Sequence, residues 1–554
     1  MINLGQNWGV KDSGLLAYKQ VGSKYFNKDF DFTRASSGTY IDKNGVLQTA
    51  EVYNLVDYSQ IFLSNSAYYF GPLGSSITSE NNLAPNGTFT ASEMLSTGQG
   101  KIQTQYKPLP ANTTYTLSVF VKNVNAANYQ TRILADGGTG GSNITSVDRI
   151  SEINTETWTR VTHTFTTNTT AQNYIFYISN GVLTDKSIQF WGAQLVEGTE
   201  ARDYQYTNGL QGLPRISYEN GVGHLLLEPQ RSNLLLQSNS FDTSWAPIGG
   251  SVTSGQSGIY GTNDAWLLTK SATNGRVYQS VSYSGTNTAS IYAKAADSNW
   301  LRIYLDTIGV SVYFDLENGV VGGTAGAALD STNIESVGNG WYRCSATITG
   351  SGTTMRIYPS DANNTSSGTS GSIYIQHSQL ESGSYPTSII ETTTSQVTRT
   401  ADVANNCGTE QDFNSEEGVL YAEVAALAND GTFRVMSIND GTTGNVVQMF
   451  FSSVDNRITA ETKISNVGQG AINYTLTNNL LNNKIAFKYK ENDFALWVNG
   501  VEVGTDTSGS VLSPNTLNNF DFALVGSLPF YGKVRSVKYF PTALTDEELE
   551  NLTT

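Results

Sequence analysis

Apolar and polar residues alternate along most of this chain in short runs, and Gly, Asn, Asp or Pro interrupts each run after a few residues. Alternation with a period of two sends successive side chains to opposite faces of a strand, which is the pattern of antiparallel sheets with one wet face. Helical periodicity is missing until the end of the chain. There Thr545 can cap and Glu548 can reach back to it, with Leu544 and Leu549 placed to tie a short helix down. The pattern predicts an all-β protein of tandem antiparallel β-sandwiches with one short C-terminal helix.

Turn chemistry places several hairpins. Asn44-Gly45 stands between Tyr40-Ile41 and Val46-Leu47, and both turn residues tolerate positive φ. Lys484-Ile485-Ala486-Phe487-Lys488-Tyr489 turns at Glu491-Asn492-Asp493 into Phe494-Ala495-Leu496-Trp497-Val498, which turns again at Asn499-Gly500 into Val501-Glu502-Val503. Between Pro214 and Asn233, Leu225-Leu226-Leu227 is bounded by Gly223 and Pro229 and reads as a short buried strand. That stretch is a joint and not an active site. The N-terminal 53 residues are too few to bury a core alone, so they are expected to pair with the strands of the joint. Everything between is then an insertion.

The insertion resembles the block that follows the joint. Asn54-Leu55-Val56 answers Asn233-Leu234-Leu235, and Ser118-Val119-Phe120-Val121-Lys122 answers Ser290-Ile291-Tyr292-Ala293-Lys294. Trp158-Thr159-Arg160-Val161 answers Trp341-Tyr342-Arg343-Cys344, and Gln194-Leu195 with Gly198 answers Gln379-Leu380 with Gly383. The offset stays near 180 residues with loop-sized drift, the signature of a repeat. The resulting division is an N-terminal β segment 1–53 completed by the joint 208–232, a first sandwich 54–207, a second 233–395 and a third 396–554. Within the repeat, His163 and Cys344 share the alternate positions of Phe165 and Ile348, so they are packing residues first. Trp158 and Trp341 fall on the opposite face, where an aromatic either covers a sheet or stacks on a sugar ring.

Composition changes the picture in three ways. A formal charge of −16 leaves no basic stripe for displacing counterions from phosphates, which excludes an electrostatic nucleic-acid partner. The start has neither a basic region nor an apolar core of a signal peptide, and no window approaches a membrane span. A protein made in a cytoplasm yet surfaced like an extracellular one suits release by cell lysis. The two cysteines, Cys344 and Cys407, cannot make a disulfide framework.

Catalytic chemistry finds little support. A sandwich hydrolase places its two carboxyls on one strand as Glu-x-Asp-x-x-Glu, about 5 Å apart for a retaining mechanism, and that string does not occur. Glu417 and Glu423 bracket a strand six positions apart, and Asp546-Glu547-Glu548 suits a helix start. His163, His224 and His377 are widely separated, without ligand spacing. Asp430 and Asp440, in two Asn-Asp-Gly loops, are the candidates for calcium, although the same tripeptide is ordinary turn chemistry. Glu228 and Arg231 are expected to form a local salt bridge or to cap strand ends. Sugar contact would fall to loop aromatics that stack on pyranose faces: Tyr68, Tyr69, Trp245, Trp300 and Tyr304 in the repeats, Phe530 and Tyr531 in the last domain.

Phe32-Thr33-Arg34-Ala35-Ser36-Ser37, Pro214-Arg215 and Leu227-Glu228-Pro229-Gln230-Arg231-Ser232-Asn233 together resemble a module of tailed-bacteriophage virion proteins, of the head-fibre or tail-fibre type. The two repeats look like carbohydrate-binding-module jelly rolls, with Gln379-Leu380-Glu381-Ser382-Gly383 as the characteristic ending. The last block is similar to the concanavalin A-like, laminin-G-type sandwich through Phe494-Ala495-Leu496-Trp497-Val498-Asn499-Gly500. The resemblance implies a non-enzymatic protein of the virion surface, synthesised in the host bacterial cytoplasm and held to capsid, portal or tail proteins by its N-terminal region. It implies cell-surface or mucus glycans as partners and a homo-oligomer, with a trimer as one form. The alternatives it leaves open are a tail-spike polysaccharide depolymerase and a purely architectural virion protein.

Overall fold

Alternation becomes sheet almost everywhere along the chain. The computed structural model describes residues 30–554 apart from 35, 51–52, 57, 61, 63–70, 104–106, 136–141, 171, 208–212, 220 and 307–308, together with the backbone of the strands Ile2–Gln6, Val10–Lys11, Gly14–Leu15, Tyr18–Val21 and Lys24–Asn27. Two compact units result: one contains 1–9, 14–50 and 214–554, the other 10–13 and 51–213. The chain leaves the larger unit after Ala50 and returns to it at Pro214.

Within the larger unit, residues 233–395 form a sandwich of two six-stranded antiparallel sheets. One sheet runs in the order Gly250–Gln256, Ala265–Lys270, Gly371–Ser382, Thr286–Ala295, Trp341–Thr349, Leu329–Gly338. The other runs Ala246–Ile248, Arg276–Tyr283, Gly352–Ser360, Trp300–Leu305, Val310–Asp315, Val320–Ala325. Leu268, Ile291, Leu301, Ile303, Val312, Cys344, Ile357 and Ile375 fill the space between them. The outer face of the first sheet is covered as well, because Tyr292 and Trp341 pack there under Ile259 and Ile389, with Leu47 against them. Trp341 is therefore a packing residue. Among the described residues, no such hydrophobic cluster covers the outer face of the second sheet.

The smaller unit is a single nine-stranded antiparallel sheet that wraps its own core of Val119, Ile133, Val161, Phe176, Ile188 and Leu195. Its construction repeats that of the second sandwich down to single hydrogen bonds. Asn54 Nδ2 donates to the carbonyls of Ala193 and Gln205, while its Oδ1 accepts from the amides of Val56 and Leu195. Asn233 does the same with Ser378, Ile390, Leu235 and Leu380. One buried amide side chain thus satisfies four backbone groups that would otherwise cost about 1–3 kcal/mol each if left unpaired. Both copies carry a β-bulge beside this clamp, with Gly192 (φ +63°) in one and His377 (φ +45°) in the other. His163 is buried with Phe165, and Trp158 is half-buried, donating Nε1–H to the carbonyl of Leu83.

The last sandwich packs a five-stranded sheet, Val467–Thr475, Arg457–Ile464, Val446–Phe451, Arg434–Asn439, Asn519–Asp521, on a larger one containing Val501–Asp506, Phe494–Val498, Asn483–Lys490, Glu417–Ala426 and Gly532–Phe540. The turn Asn499-Gly500 holds both residues at positive φ (+49° and +82°), as a two-residue hairpin between Val498 and Val501 requires. Cys344 and Cys407 are buried in two different sandwich cores, which prevents them from pairing. The helix Asp546–Thr553 closes the chain with a complete capping box at Thr545 and Glu548, and Leu549 is fully buried against Trp497 and Ala486.

The joint lies elsewhere in the ladder than its sequence suggests. The hairpin Ile216–Glu219 with Val222–Leu227 extends the large sheet of the last sandwich, where Leu225 stands opposite Val534 and Leu227 opposite Gly532. The N-terminal strand Asp31–Thr33 pairs with Val403–Asn405, and Gly38–Ile41 pairs with Leu47–Ala50. Side chains, not strand pairing, connect segment 30–50 to the joint. Arg34 binds Asp402 at 2.7 Å, Arg215 binds both Asp402 and Glu228, and Arg399 binds Glu228 at 2.9 Å, all of them buried. Glu228 also accepts from the amide and hydroxyl of Ser388 at 2.7 Å. Glu228 therefore does not pair with Arg231, whose guanidinium lies 5.4 Å from the ring of Tyr385.

Burial opposes ionisation of Glu228, but Arg399 and Arg215 outweigh it and hold the carboxyl far below its ordinary range. A depressed folded-state pKa means stability present above the unfolded value of 4.5 and lost as pH falls below it. Glu228→Gln leaves two buried arginines short of a partner and is expected to destabilise the larger unit by about 3–5 kcal/mol at neutral pH. Denaturant titrations of both proteins from pH 7 downward should show the gap narrowing below about pH 4.5; a gap independent of pH would refute the assignment. Thr545→Ala should cost about 1 kcal/mol through the lost cap, read as a shift in the same transition.

Candidate functional site

On the second sheet of the 233–395 sandwich, period-two alternation sends Leu301, Ile303 and Leu305 into the core and Trp300, Arg302 and Tyr304 outward. The neighbouring strands do the same. Register then lines up the outward residues in rows across the sheet. In one row Arg276 and Arg302 flank Tyr358, with Tyr313 beyond: Arg302 is opposite both Tyr358 and Tyr313, and the Arg276 guanidinium sits 5.7 Å from the Tyr358 ring. In the next row Tyr278 and Tyr304 flank Arg356, with Ser311 beyond. Arginine and tyrosine alternate both along and across the strands.

The contacts follow from that lattice. The Arg302 guanidinium lies 4.8 Å from the ring of Tyr358, 4.9 Å from Tyr304 and 5.4 Å from Tyr313. Arg356 lies 5.3 Å from Tyr304. Each such cation–π contact contributes about 0.5–2 kcal/mol, according to how far it is shielded from water. Trp300 ends the array. Its ring lies over the backbone of Gly322, where a Cβ would come within 2.4 Å of Cζ3, so only glycine leaves room for the ring at that point. The amide of Gly323 donates to Asn363 Oδ1 at 2.6 Å, fixing the strand beneath.

Charge on the face is not balanced. Asp306 is bound to Arg356 at 2.8 Å. Asp315 accepts from the amides of Glu317 and Asn318 and from Asn318 Nδ2, which commits both its oxygens. Arg302 donates Nε–H to Ser311 Oγ at 2.8 Å, and Arg276 donates to the carbonyl of Asn274; among the described residues neither has a carboxylate partner. The smaller unit repeats one element of this face, with Arg132 opposite Tyr177 and 5.7 Å from its ring. By strand position, Gln130 and Leu134 stand there where the second sandwich has Trp300 and Tyr304.

Of the aromatics expected from sequence, only Trp300 and Tyr304 share this face. Trp245 is buried in the second core with Phe241, and Phe530 in the last core with Phe451, so neither offers a ring to a ligand. Tyr531 is half-buried, and desolvation with the nearby charge of Asp402 raises its pKa, which places it by the buried ion cluster. Tyr68 and Tyr69 lie outside the described residues. Sequence reasoning missed Arg302, Arg356, Tyr313 and Tyr358; their outward alternation was available, but the register that joins them was not. Asp430 binds Arg434 at 2.8 Å and accepts from Ser384, and Asp440 accepts from Thr442 and Asn445, so both serve their own turns. Glu417 pairs with Lys490 and Glu423 with Arg535.

A concavity of about 670 Å³ beside the joint, lined by Tyr218, Tyr421, Glu423, Lys484, Arg535 and Lys538, is a second polar site. Two of its cations are already engaged, Arg535 by Glu423 and Lys484 by the carbonyl of Thr554.

Residues 57–187 match a family model described as "Carbohydrate binding domain", CBM_4_9. No curated protein sequence matches the chain. Among solved structures, a CBM40 of the Ruminococcus gnavus IT-sialidase, bound to alpha2,6 sialyllactose, is similar at 13% identity and TM-score 0.23, over 27% of this chain and 94% of that one. The CBM22-1-CBM22-2 tandem of Paenibacillus barcinonensis Xyn10C is similar at 12% identity and TM-score 0.20, over 60% of this chain and all of that one. Tandem CBM51 modules of the Streptococcus pneumoniae glycoside hydrolase Sp3GH98 are similar at 10% identity and TM-score 0.17, over 64% of this chain and all of that one. The chain thus carries a carbohydrate-binding-module domain in its first repeat, within a protein built of tandem β-sandwiches.

Proposed function

We propose that this chain is a non-catalytic protein of a tailed-bacteriophage virion surface, a fibre or capsid decoration, that holds glycans on the uncovered sheet of its second sandwich. The observation that carries the glycan reading is the face itself: Trp300 and Tyr304 point outward from one strand, beside Arg302 and Arg276, which have no carboxylate partner among the described residues. Aromatic rings take the apolar faces of pyranoses, and the polar groups between them take the hydroxyls. The family match to residues 57–187 adds to this reading. It falls on the repeat whose face, among the described residues, carries fewer aromatics, which favours a division in which the second copy binds and the first spaces or packs.

The virion assignment rests on the resemblance of the Arg34, Pro214-Arg215 and Glu228 segments to phage structural proteins. In this reading the N-terminal region attaches the chain to capsid, portal or tail, and the glycans belong to the host surface or to mucus. Weak single sites would gain from many copies, because linked sites raise effective concentration.

Fluorescently labelled protein should bind intact host cells saturably, and periodate oxidation of their glycans should abolish binding. Undiminished binding after periodate, or none at high copy density, would sink the adhesin and leave an architectural role. Trp300→Ala should weaken binding about tenfold. Gly322→Ala should weaken it too, since the added methyl must displace the Trp300 ring; that displacement is measured independently by tryptophan fluorescence.

A further inference from the structure

We infer that the Trp300–Tyr304 face selects acidic glycans, with Arg302 and Arg276 holding the carboxylate of a uronic or other acidic sugar. The inference rests on the glycan-binding reading above and adds the substrate class. Among the described residues, five charged ones belong to this face: Arg276, Arg302, Arg356, Asp306 and Asp315. Asp306 neutralises Arg356, and Asp315 is consumed by its own turn. Arg302 and Arg276 remain without an acidic partner among the described residues, in a chain whose formal charge is −16.

An acidic protein has many carboxylates with which to satisfy two surface arginines, and this face uses none for them. Positive charge is held instead by π-systems. Three tyrosine rings surround the Arg302 guanidinium, at 4.8, 4.9 and 5.4 Å, and its Nε–H is fixed on Ser311 Oγ. That arrangement orients the planar fork, and among the described residues no protein acceptor takes either of its Nη groups. A carboxylate accepts such a fork through two parallel hydrogen bonds, a geometry that a hydroxyl cannot reproduce. Trp300, in the adjoining row, is positioned to stack on the neighbouring sugar ring. The spacing of side chains along a strand, about 7 Å from Trp300 to Arg302 and again to Tyr304, is comparable to the length of a sugar residue. A lattice of rings and cations therefore fits a chain that alternates apolar pyranose faces with anionic substituents.

The test uses surface polysaccharide extracted from host cells in three forms: native, carboxyl-reduced and periodate-oxidised. Each is immobilised and titrated with the full chain at low and high salt. The expected result is strong binding to the native form, weakened at least about tenfold by carboxyl reduction and by salt. Arg302→Gln should show the same loss on the native form and no further loss on the reduced form, whereas Trp300→Ala weakens both. Arg302→Lys, which keeps the charge without the fork, should fall between. Equal binding of native and reduced polysaccharide, with periodate sensitivity retained, overturns the acidic selectivity while the glycan reading stands. Absence of periodate-sensitive binding overturns both. If Arg302→Gln and Arg302→Lys lose binding equally on native and reduced forms, and melt earlier than the wild type, the arginine is a packing element and the inference is wrong.

Discussion

Three arginines and two carboxylates, sealed from water, decide how the larger unit holds together. Arg34 comes from the N-terminal segment, Arg215 and Glu228 from the joint, and Arg399 and Asp402 from the link between the second and last sandwiches. No hydrophobic contact could enforce that meeting so sharply. Apolar packing tolerates sliding and repacking, while a buried charge without its partner is expensive enough to exclude other arrangements. The cluster holds an excess of one positive charge, and backbone carbonyls supply the remainder: Ala50 to Arg34, Thr39 to Arg215, Pro229 to Arg399. Specificity of assembly, more than net stability, is what such a cluster contributes, and it places three distant parts of the chain at one point.

That division of labour explains which parts of the molecule could be read from the chain. Hairpins were legible because their chemistry is local: Asn499-Gly500 needs only its own two positive φ angles to join Val498 to Val501. The terminal helix was legible for the same reason, with cap and reach-back three residues apart. The repeat was legible because its motif residues are structural, Asn54 and Asn233 each binding the strand that carries Gln194-Leu195 or Gln379-Leu380. The ion cluster was not. Glu228 and Arg231 look like neighbours in sequence, yet the partners of Glu228 lie 13 and 171 positions away, at Arg215 and Arg399.

The site shows the same limit in another form. A strand such as Trp300–Leu305 reveals by alternation which residues face outward, and so Trp300 and Tyr304 were visible as candidates. What alternation cannot give is the registration of Arg276, Tyr358, Arg302 and Tyr313 into one row, which depends on three separate ladders. Trp245 and Phe530 illustrate the converse: they sit close to turns in the sequence, but a large aromatic near a strand end is as readily drawn into the core, where it gains about 1.5–3 kcal/mol from burial.

The two copies of the repeat then separate scaffold from surface. What they share is the clamp, the bulge and one outward arginine–tyrosine pair, Arg132 with Tyr177 and Arg302 with Tyr358. What differs is the flanking pair, Gln130 and Leu134 against Trp300 and Tyr304. The shared pair spans two adjacent strands at the same register, with the guanidinium 5.7 Å from the ring in one copy and 4.8 Å in the other. The flanking positions belong to no such shared pair, and each projects outward over a strand whose core side is already filled. They are therefore free to vary, and an aromatic gained there costs the fold little while adding a stacking surface. A binding face can arise in this architecture by changing two residues on a strand whose inward side and cross-strand pair stay fixed.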